Sequence, residues 1–315
     1  MPPLLHLLKH AFVFLFLSYG WCALLYTMKI LNWNVRGLGD DDKCSLVRDV
    51  ITSCCPSVVC LQETKLPSLF LFKLRSFLPA SYKDHVAMPS DGTAGGILVA
   101  WDSSYVLGQL VAAHRYHVTV RMSSTTSANS FLLTVVYAPC SGNDRAVFYE
   151  AVSSVATGAG LPWIVLGDFN MYRFAHEKSR GQINWNLMEL FNGWAREHGL
   201  DDIQIDNRMF TWSNKISSPT LVRLDRILVN AAWNLSFLHT SASCVPATTS
   251  DHTPILVQLQ AEMTRSRLFR VQNHWLQMEE SRNIIQDCWS RGTRYISSSA
   301  SLINFKMRRV WAALR

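Results

Sequence analysis

The sequence predicts an α/β domain in which two packed β-sheets carry helices on their outer faces. Eight short apolar runs rich in β-branched or aromatic residues read as strands, and stretches with apolar residues at helical spacing fall between several of them. The alternation is not a clean βαβα repeat. No G-x-G-x-x-G or Walker pattern follows a strand, so a Rossmann or P-loop nucleotide site is not expected.

In chain order, strands are expected over residues 29–34, 58–62, 97–101, 118–122, 131–137, 163–167, 224–229 and 254–259. Helices are expected over 43–53, 68–77, 146–155 and 186–198. Gly95-Gly96 opens the third strand and fits a turn or a close backbone approach. Together these elements make one domain over residues 28–260, with an N-terminal segment over 1–27 and a tail over 261–315.

The 315 residues suffice for one large domain or two small ones, and 49% apolar against 17% charged residues exclude wholesale disorder. The formal charge of +7 hints at an anionic partner, but its location tempers that reading. Residues 261–315 hold ten Lys/Arg against four Asp/Glu, which leaves twenty against nineteen for residues 1–260. The basic character belongs to the tail. Eight scattered cysteines without a CxxC pair fit reduced thiols in a nuclear or cytoplasmic protein better than a zinc site or a disulfide framework.

Residues 11–27 carry no charge. Three readings stay open for them: a signal peptide, a membrane anchor at the short end of the spanning range, or translated upstream sequence with Met28 as the working start. The first two would direct the protein to a membrane or the secretory pathway. In the tail, Trp275, Met278, Ile284, Ile285, Cys288 and Trp289 recur at helical spacing, and Phe305, Val310, Trp311 and Leu314 form a second such stretch. Amphipathic helices that need a partner surface are expected there.

Polar residues stand where the strands end. Asn34 closes Ile30-Leu31-Asn32-Trp33-Asn34, Glu63 follows Val58–Gln62, and Tyr137 ends the run from Leu132. Asp168 and Asn170 follow Ile164-Val165-Leu166-Gly167, Asp225 sits inside Arg223-Leu224-Asp225-Arg226-Ile227-Leu228, and Asp251-His252 precedes Pro254-Ile255-Leu256. Singly, each has a bland reading as a turn residue, a cap or a satisfied core group. Asp225 is harder to dismiss, because a carboxylate inside an apolar run needs a partner. Loops at the ends of neighbouring strands converge on a crevice, and the set points to one site.

Those residue types suit hydrolysis of a phosphodiester. Glu63 and Asp251 offer hard oxygen ligands for Mg²⁺, or Mn²⁺ in its place. Asp168 is suited to orient or deprotonate the attacking water, with Asn170 holding water or phosphate in line. His252 would donate to a non-bridging oxygen, Asp225 would fix the state of its imidazole, and the Tyr137 phenol would stabilise charge on the phosphoryl oxygens. No Ser or Cys sits in a nucleophile elbow, so a covalent intermediate is not expected.

Six motifs in order, Trp33-Asn34-Val35-Arg36-Gly37-Leu38, Leu61-Gln62-Glu63-Thr64-Lys65, Val136-Tyr137-Ala138-Pro139, Gly167-Asp168-Phe169-Asn170, Arg223-Leu224-Asp225-Arg226 and Ser250-Asp251-His252-Thr253-Pro254, resemble the endonuclease/exonuclease/phosphatase superfamily. The resemblance spans roughly residues 28–259 and implies its four-layer α/β sandwich, the DNase I-like fold. Within the superfamily the chain looks most like the endonuclease of plant LINE-type (non-LTR) retrotransposons, through residues 28–39, 95–101 and 169–179 and through Phe210-Thr211-Trp212-Ser213-Asn214. The resemblance implies that Glu63 binds Mg²⁺ with Asn34 and Asp251 close to metal or phosphate, and that Asp168 and Asn170 handle water and phosphate. It also implies that Tyr137 contacts the phosphate and that Asp225 orients His252. Two departures separate the chain from apurinic repair endonucleases: Arg36 stands where they have an acid, and Cys140 where they have Asn. Arg36 would then meet DNA backbone or pair with a neighbouring acid.

The resemblance implies an endonuclease that nicks DNA to expose a 3′-hydroxyl for a reverse transcriptase. The stretch 269–289 resembles the connector that follows it, and 55 residues after Gln260 are too few for the polymerase itself. A truncated or stand-alone copy is therefore expected, with any reverse transcriptase supplied by another copy. Two other functions stay open: a superfamily phosphatase or 3′ exonuclease acting on a small phosphoester or RNA, and an inactive remnant that binds nucleic acid. Trp212 favours nucleic acid if bases stack on it, and is uninformative if it belongs to the core.

Overall fold

The structure, a computed structural model, describes residues 28–259 except 93, 127–128, 141 and 157–159, together with residues 279–290. The expectations for residues 11–27, for Trp275 and Met278, and for the stretch from Phe305 to Leu314 lie outside the described residues.

Each of two sheets is built round one parallel strand pair joined by a helix. In the first, β1 (Met28–Asn34) leads through α1 (Asp41–Cys54) to β2 (Val58–Gln62), with Ile30 opposite Val58 and Asn34 opposite Gln62. Asp40 caps α1 by accepting the Asp42 N–H, and Asp41 and Asp42 lie in the first turn, where the helix dipole favours acids. The helix ends at Cys55 in the left-handed conformation. α2 (Leu71–Phe77) precedes the hairpin of β3 (Asp84–Asp91) and β4 (Ala94–Trp101), and β4 pairs antiparallel with β2.

In the second sheet, β5 (Val106–His114), β6 (His117–Ser124) and β7 (Ser130–Tyr137) form an antiparallel meander. α3 (Arg145–Ala156) then returns the chain to β8 (Trp163–Asp168), parallel to β7 with Tyr137 opposite Asp168. After α4 (Trp185–Glu197) come β9 (Asp201–Asp202), the small hairpin β10 (Trp212–Ser213) and β11 (Leu221–Val222), and β12 (Asp225–Val229), which pairs antiparallel with β8. α5 (Ala231–Ser236), β13 (Ser241–Cys244) and β14 (Ile255–Leu259) close the fold. The strand orders are β13-β14-β1-β2-β4-β3 and β5-β6-β7-β8-β12-β9.

Period-two alternation sorts the apolar side chains into layers. Ile30, Val58, Cys60 and Val99 of the first sheet meet Val120, Leu133, Val135, Leu166 and Ile227 of the second between the sheets. The intervening residues Leu31, Trp33, Val59 and Leu61 face Val47 and Ile51 of α1 and Leu74 and Phe77 of α2. Leu132, Val136 and Val165 likewise face Phe148 of α3 and Phe191 and Trp194 of α4. Strands covered on both faces read as continuous apolar runs, and each large side chain so buried contributes roughly 1.5–3 kcal/mol. The result is the expected sandwich of helix, sheet, sheet and helix.

The strands that the apolar runs do not announce are β3, β5, β9 and β13, besides the two-residue strands of the β10–β11 hairpin, and these four are the edges of the two sheets. An edge strand has no neighbour on one side and little apolar surface to bury. β3 accommodates Pro89, whose missing N–H an edge tolerates, and β5 is largely exposed. The second expected helix also begins late, at Leu71 rather than residue 68. Phe70, Leu71 and Phe72 are exposed, so their apolar spacing marks no core face.

The chain separates into two units, one through Glu262 and one from Met263. Everything above belongs to the first; α6 (Glu279–Ser290) is the described part of the second. Among the described residues no helix is long and apolar enough to cross a membrane.

Candidate active site

The carboxyl ends of both parallel pairs point to one rim. Asn34 ends β1, Glu63 follows β2, Tyr137 ends β7 and Asp168 ends β8. The antiparallel partners bring their starts to the same rim: Asp225 opens β12 directly opposite Asp168, and His252 lies just before β14. The site straddles the two sheets at the position where ligands collect in α/β folds.

The buried centre is a chain of hydrogen bonds. Asn34 Nδ2 of the first sheet donates to Asp168 Oδ2 of the second at 2.9 Å. Asp168 Oδ1 accepts the Asn170 N–H at 2.9 Å, and Asn170 Nδ2 donates to the Ala138 carbonyl at 2.7 Å. His252 Nδ1 is 2.8 Å from Asp225 Oδ2, and its Nε2 is 3.6 Å from Asp168 Oδ2. The Trp33 indole N–H donates to the His252 carbonyl, Ser250 Oγ donates to the Asn34 carbonyl, and Thr211 Oγ1 accepts the Asp225 N–H. These contacts fix the imidazole between two carboxylates.

Burial alone would lower the His252 pKa, but Asp225 and then Asp168 outweigh it and raise it to about 10. The ring is therefore an imidazolium at neutral pH, with both nitrogens donating. Burial raises Asp168 to about 6; the His252 charge opposes that rise and Asp225 adds to it. Burial also pushes the Tyr137 phenol far up, helped by Glu63, so it keeps its proton and serves as a donor.

Outside this centre lies a ring of opposite charges. Arg36 Nη1 pairs with Asp251 Oδ2, which also accepts the Trp212 indole N–H at 3.0 Å. Lys65 Nζ lies 3.0 Å from Glu63 Oε1. The two loops are stitched together by the Gly37 N–H to the Glu63 carbonyl and the Leu38 N–H to the Thr64 carbonyl. Arg36, Glu63, Lys65 and Asn170 all have φ near +50°, a conformation that costs free energy in non-glycine residues and collects at functional sites. Gly96 (φ +91°) admits the Glu63 loop, since a Cβ there would lie 2.3 Å from Thr64 Oγ1.

The candidate site residues named from the sequence all reach this rim or the groove beside it. Of the alternatives left open for Arg36, the pairing with an acid is the one observed. Trp212 is half-buried against Asp251 and lines an open groove of about 420 Å³ with Asn170, Tyr172, Lys178, Arg180 and Asn214. The Asn170 amide is engaged with Ala138, so its contribution to Asp168 runs through its backbone N–H. Sequence reasoning missed Lys65, whose signal was a cation two residues after Glu63. It also missed Lys43, which donates to the Arg36 carbonyl at 2.9 Å, and Ser250, a neighbour of two chosen residues.

For a divalent cation the donor sets differ. Among the described residues, one group of three acid, cysteine or histidine residues brings its ligand atoms within 4.8 Å of one another: Asp168, Asp225 and His252. In that cluster both imidazole nitrogens already face carboxylates, Nδ1 at Asp225 and Nε2 at Asp168. Glu63 and Asp251 are hard carboxylates facing cationic groups, the donor type that fits Mg²⁺. Asn34 Oδ1 accepts the Arg36 N–H at 3.0 Å and keeps one lone pair.

The sequence profile of the Endonuclease/Exonuclease/phosphatase family matches residues 31–252. No curated protein matches the chain significantly in sequence. Among solved structures, the fold is similar to the AP endonuclease LMAP from Leishmania major (17% identity, TM-score 0.62, covering 74% of this chain and 88% of that one). It is similar also to the endonuclease domain of TRAS1, a telomere-specific non-LTR retrotransposon (11%, 0.58, 75% and 100%). A third likeness is to the APE2 catalytic domain from Xenopus laevis (18%, 0.57, 76% and 94%). At these identities the likeness concerns the fold, the DNase I-like sandwich.

Proposed function

The chain belongs to the endonuclease/exonuclease/phosphatase family, a family of phosphoester hydrolases, and on that premise we propose that it is a metal-dependent endonuclease that nicks DNA, of the LINE-type retrotransposon kind. The observation that carries the proposal is the imidazole of His252 held between Asp225 and Asp168, both nearly inaccessible to solvent.

In this reading Asp168 takes the proton of the attacking water, and a pKa of about 6 keeps it ionised yet basic enough to do so at neutral pH. Asn34 and the Asn170 N–H aim its two oxygens. The His252 imidazolium and the Tyr137 hydroxyl donate to phosphoryl oxygens as charge builds there. Asp225 holds the ring upright through Nδ1. Glu63 and Asp251 would hold Mg²⁺, which supplies charge neutralisation at the phosphate and the leaving oxygen.

DNA as substrate is supported by the groove beside Asn170, where Trp212 offers aromatic surface and Lys178 and Arg180 offer positive charge. The retrotransposon assignment is supported by the ordered motifs, by Arg36 in place of an acid, and by the likeness to the TRAS1 endonuclease domain. In it the tail over 261–315 is a connector toward a reverse transcriptase.

A substrate panel tests the proposal: supercoiled plasmid, abasic duplex, an RNA hairpin and an inositol phosphate, each with Mg²⁺. The expected result is fastest cleavage of intact plasmid. Fastest turnover of the inositol phosphate would make the chain a phosphatase, and of the abasic duplex a repair-type enzyme.

A further inference from the structure

Arg36 is fixed by its backbone, and its guanidinium reaches Asp251 from an exposed position. Its N–H donates to Asn34 Oδ1, and its carbonyl accepts from Lys43 Nζ. Its side chain is 57% exposed, whereas that of its partner Asp251 is 7% exposed. Asp251 Oδ2 already takes two donors, the guanidinium and the Trp212 indole, while among the described residues Oδ1 is met by Ser250 Oγ at 3.4 Å. Lys65 stands on Glu63 in the same way. Both carboxylates suited to a divalent cation are therefore already paired with a cation of the protein itself. A divalent ion arriving at Asp251 meets the repulsion of the guanidinium as well as the attraction of the carboxylate.

We propose that Arg36 is a displaceable internal cation that competes with the divalent ion for Asp251 and yields when a substrate phosphate draws its guanidinium outward. The inference rests on the assignment of Glu63 and Asp251 to metal in the reading above. The guanidinium is the exposed partner of the pair, and a contact that water reaches from one side is weak enough to exchange. A guanidinium pairs with phosphate through two parallel hydrogen bonds, which gives it a better destination once nucleic acid arrives. Metal and nucleic acid then favour one another's binding, and linkage makes that help reciprocal. Before substrate arrives the protein holds its ion loosely, and the loaded site assembles on the phosphodiester.

The test is Mn²⁺ binding to the full chain, followed by the electron paramagnetic resonance signal of free Mn²⁺. It is run with and without a phosphorothioate DNA duplex, whose own Mn²⁺ binding is measured separately and subtracted. Arg36→Gln removes the charge and leaves the backbone contacts that shape the loop; Arg36→Lys keeps the charge. The expected results are Mn²⁺ affinity about tenfold tighter in Arg36→Gln than in wild type, and affinity near wild type in Arg36→Lys. The duplex should tighten Mn²⁺ binding in wild type and leave Arg36→Gln unchanged. Equal or weaker Mn²⁺ binding by Arg36→Gln with an unaltered melting temperature would overturn the inference. Plasmid nicking by a wild type whose metal affinity ignores Arg36 would overturn it while leaving the endonuclease reading intact. Arg36-dependent metal binding without cleavage of any substrate would support it and remove the endonuclease.

Discussion

His252 lies between Asp225, 2.8 Å from Nδ1, and Asp168, 3.6 Å from Nε2, and these two distances set how the protein responds to pH. The His252 pKa rises from an ordinary 6.5 to about 10 on folding, so its pairing stabilises the fold fully below about 6.5 and is lost as pH climbs to 10. Asp168 is also raised, to about 6, so the folded protein holds that proton longer than the unfolded chain and its ionisation costs stability between about 4 and 6. For catalysis, kcat/KM should rise as Asp168 ionises near pH 6, stay level, and fall near pH 10 as His252 loses its proton. A pH–rate profile checks both limbs. In Asp225→Asn the larger charge holding the imidazolium is gone, so the alkaline limb should move down and the rate should fall by about 100-fold or more. An unmoved alkaline limb in that variant would remove His252 as the titrating donor. These residues were legible because a polar residue at the end of an apolar run is conspicuous. Their pairing was legible only in outline. Asp225 called for a partner, but nothing in the sequence says that Asn34 of one sheet reaches Asp168 of the other.

The elements that carry the site are braced from behind. Gly167 has φ +140°, and a Cβ there would lie 2.0 Å from the Val136 carbonyl oxygen, so only glycine lets β8 approach β7 just before Asp168. Gly167→Ala should destabilise the fold by about 3 kcal/mol or more, seen as a lowered urea midpoint. One residue beyond Asp225, the fully buried Arg226 binds Glu177 and Asp202, and Arg223 binds Asp202 at 2.9 Å. Glu177 Oε2 also accepts the N–H groups of Arg173 and Phe174, so the loop after Asn170 is clamped to β12. Burial would raise the Glu177 pKa, yet Arg226 overrides it and lowers it. Arg226→Met leaves Glu177 and Asp202 short of a cation and should cost about 3–5 kcal/mol. A loss below about 1 kcal/mol in thermal or urea unfolding would contradict that role. Interior strands such as β1, β2, β7 and β8 were legible because both faces bury apolar side chains. The edges β3, β5, β9 and β13 were not, because backbone pairing on one side asks little of the side chains.

At the scale of the whole molecule, two parallel pairs, β1–β2 and β7–β8, point their carboxyl ends to one rim, and the candidate site residues come from both sheets. The sequence motifs pointed to that architecture; they left open whether Arg36 pairs with an acid, and they did not reveal that Lys65 sits on Glu63. Charge is uneven along the chain, with ten Lys/Arg against four Asp/Glu in residues 261–315. Nucleic-acid affinity of the full chain should therefore fall more steeply with salt than that of a chain ending at Glu262. The two slopes of log K against log salt should differ by about two units or more. Equal slopes would remove the tail from binding. The central claim, cleavage of DNA by the Asp168–His252–Asp225 site with a divalent ion, is tested most directly by supercoiled plasmid with Mg²⁺. Wild-type chain is compared with Asp168→Asn and His252→Asn variants shown to be folded. The account predicts metal-dependent conversion to open circles by wild type and a loss of about 100-fold or more in each variant. A folded wild type that leaves the plasmid supercoiled, or variants that nick as fast as wild type, would contradict it.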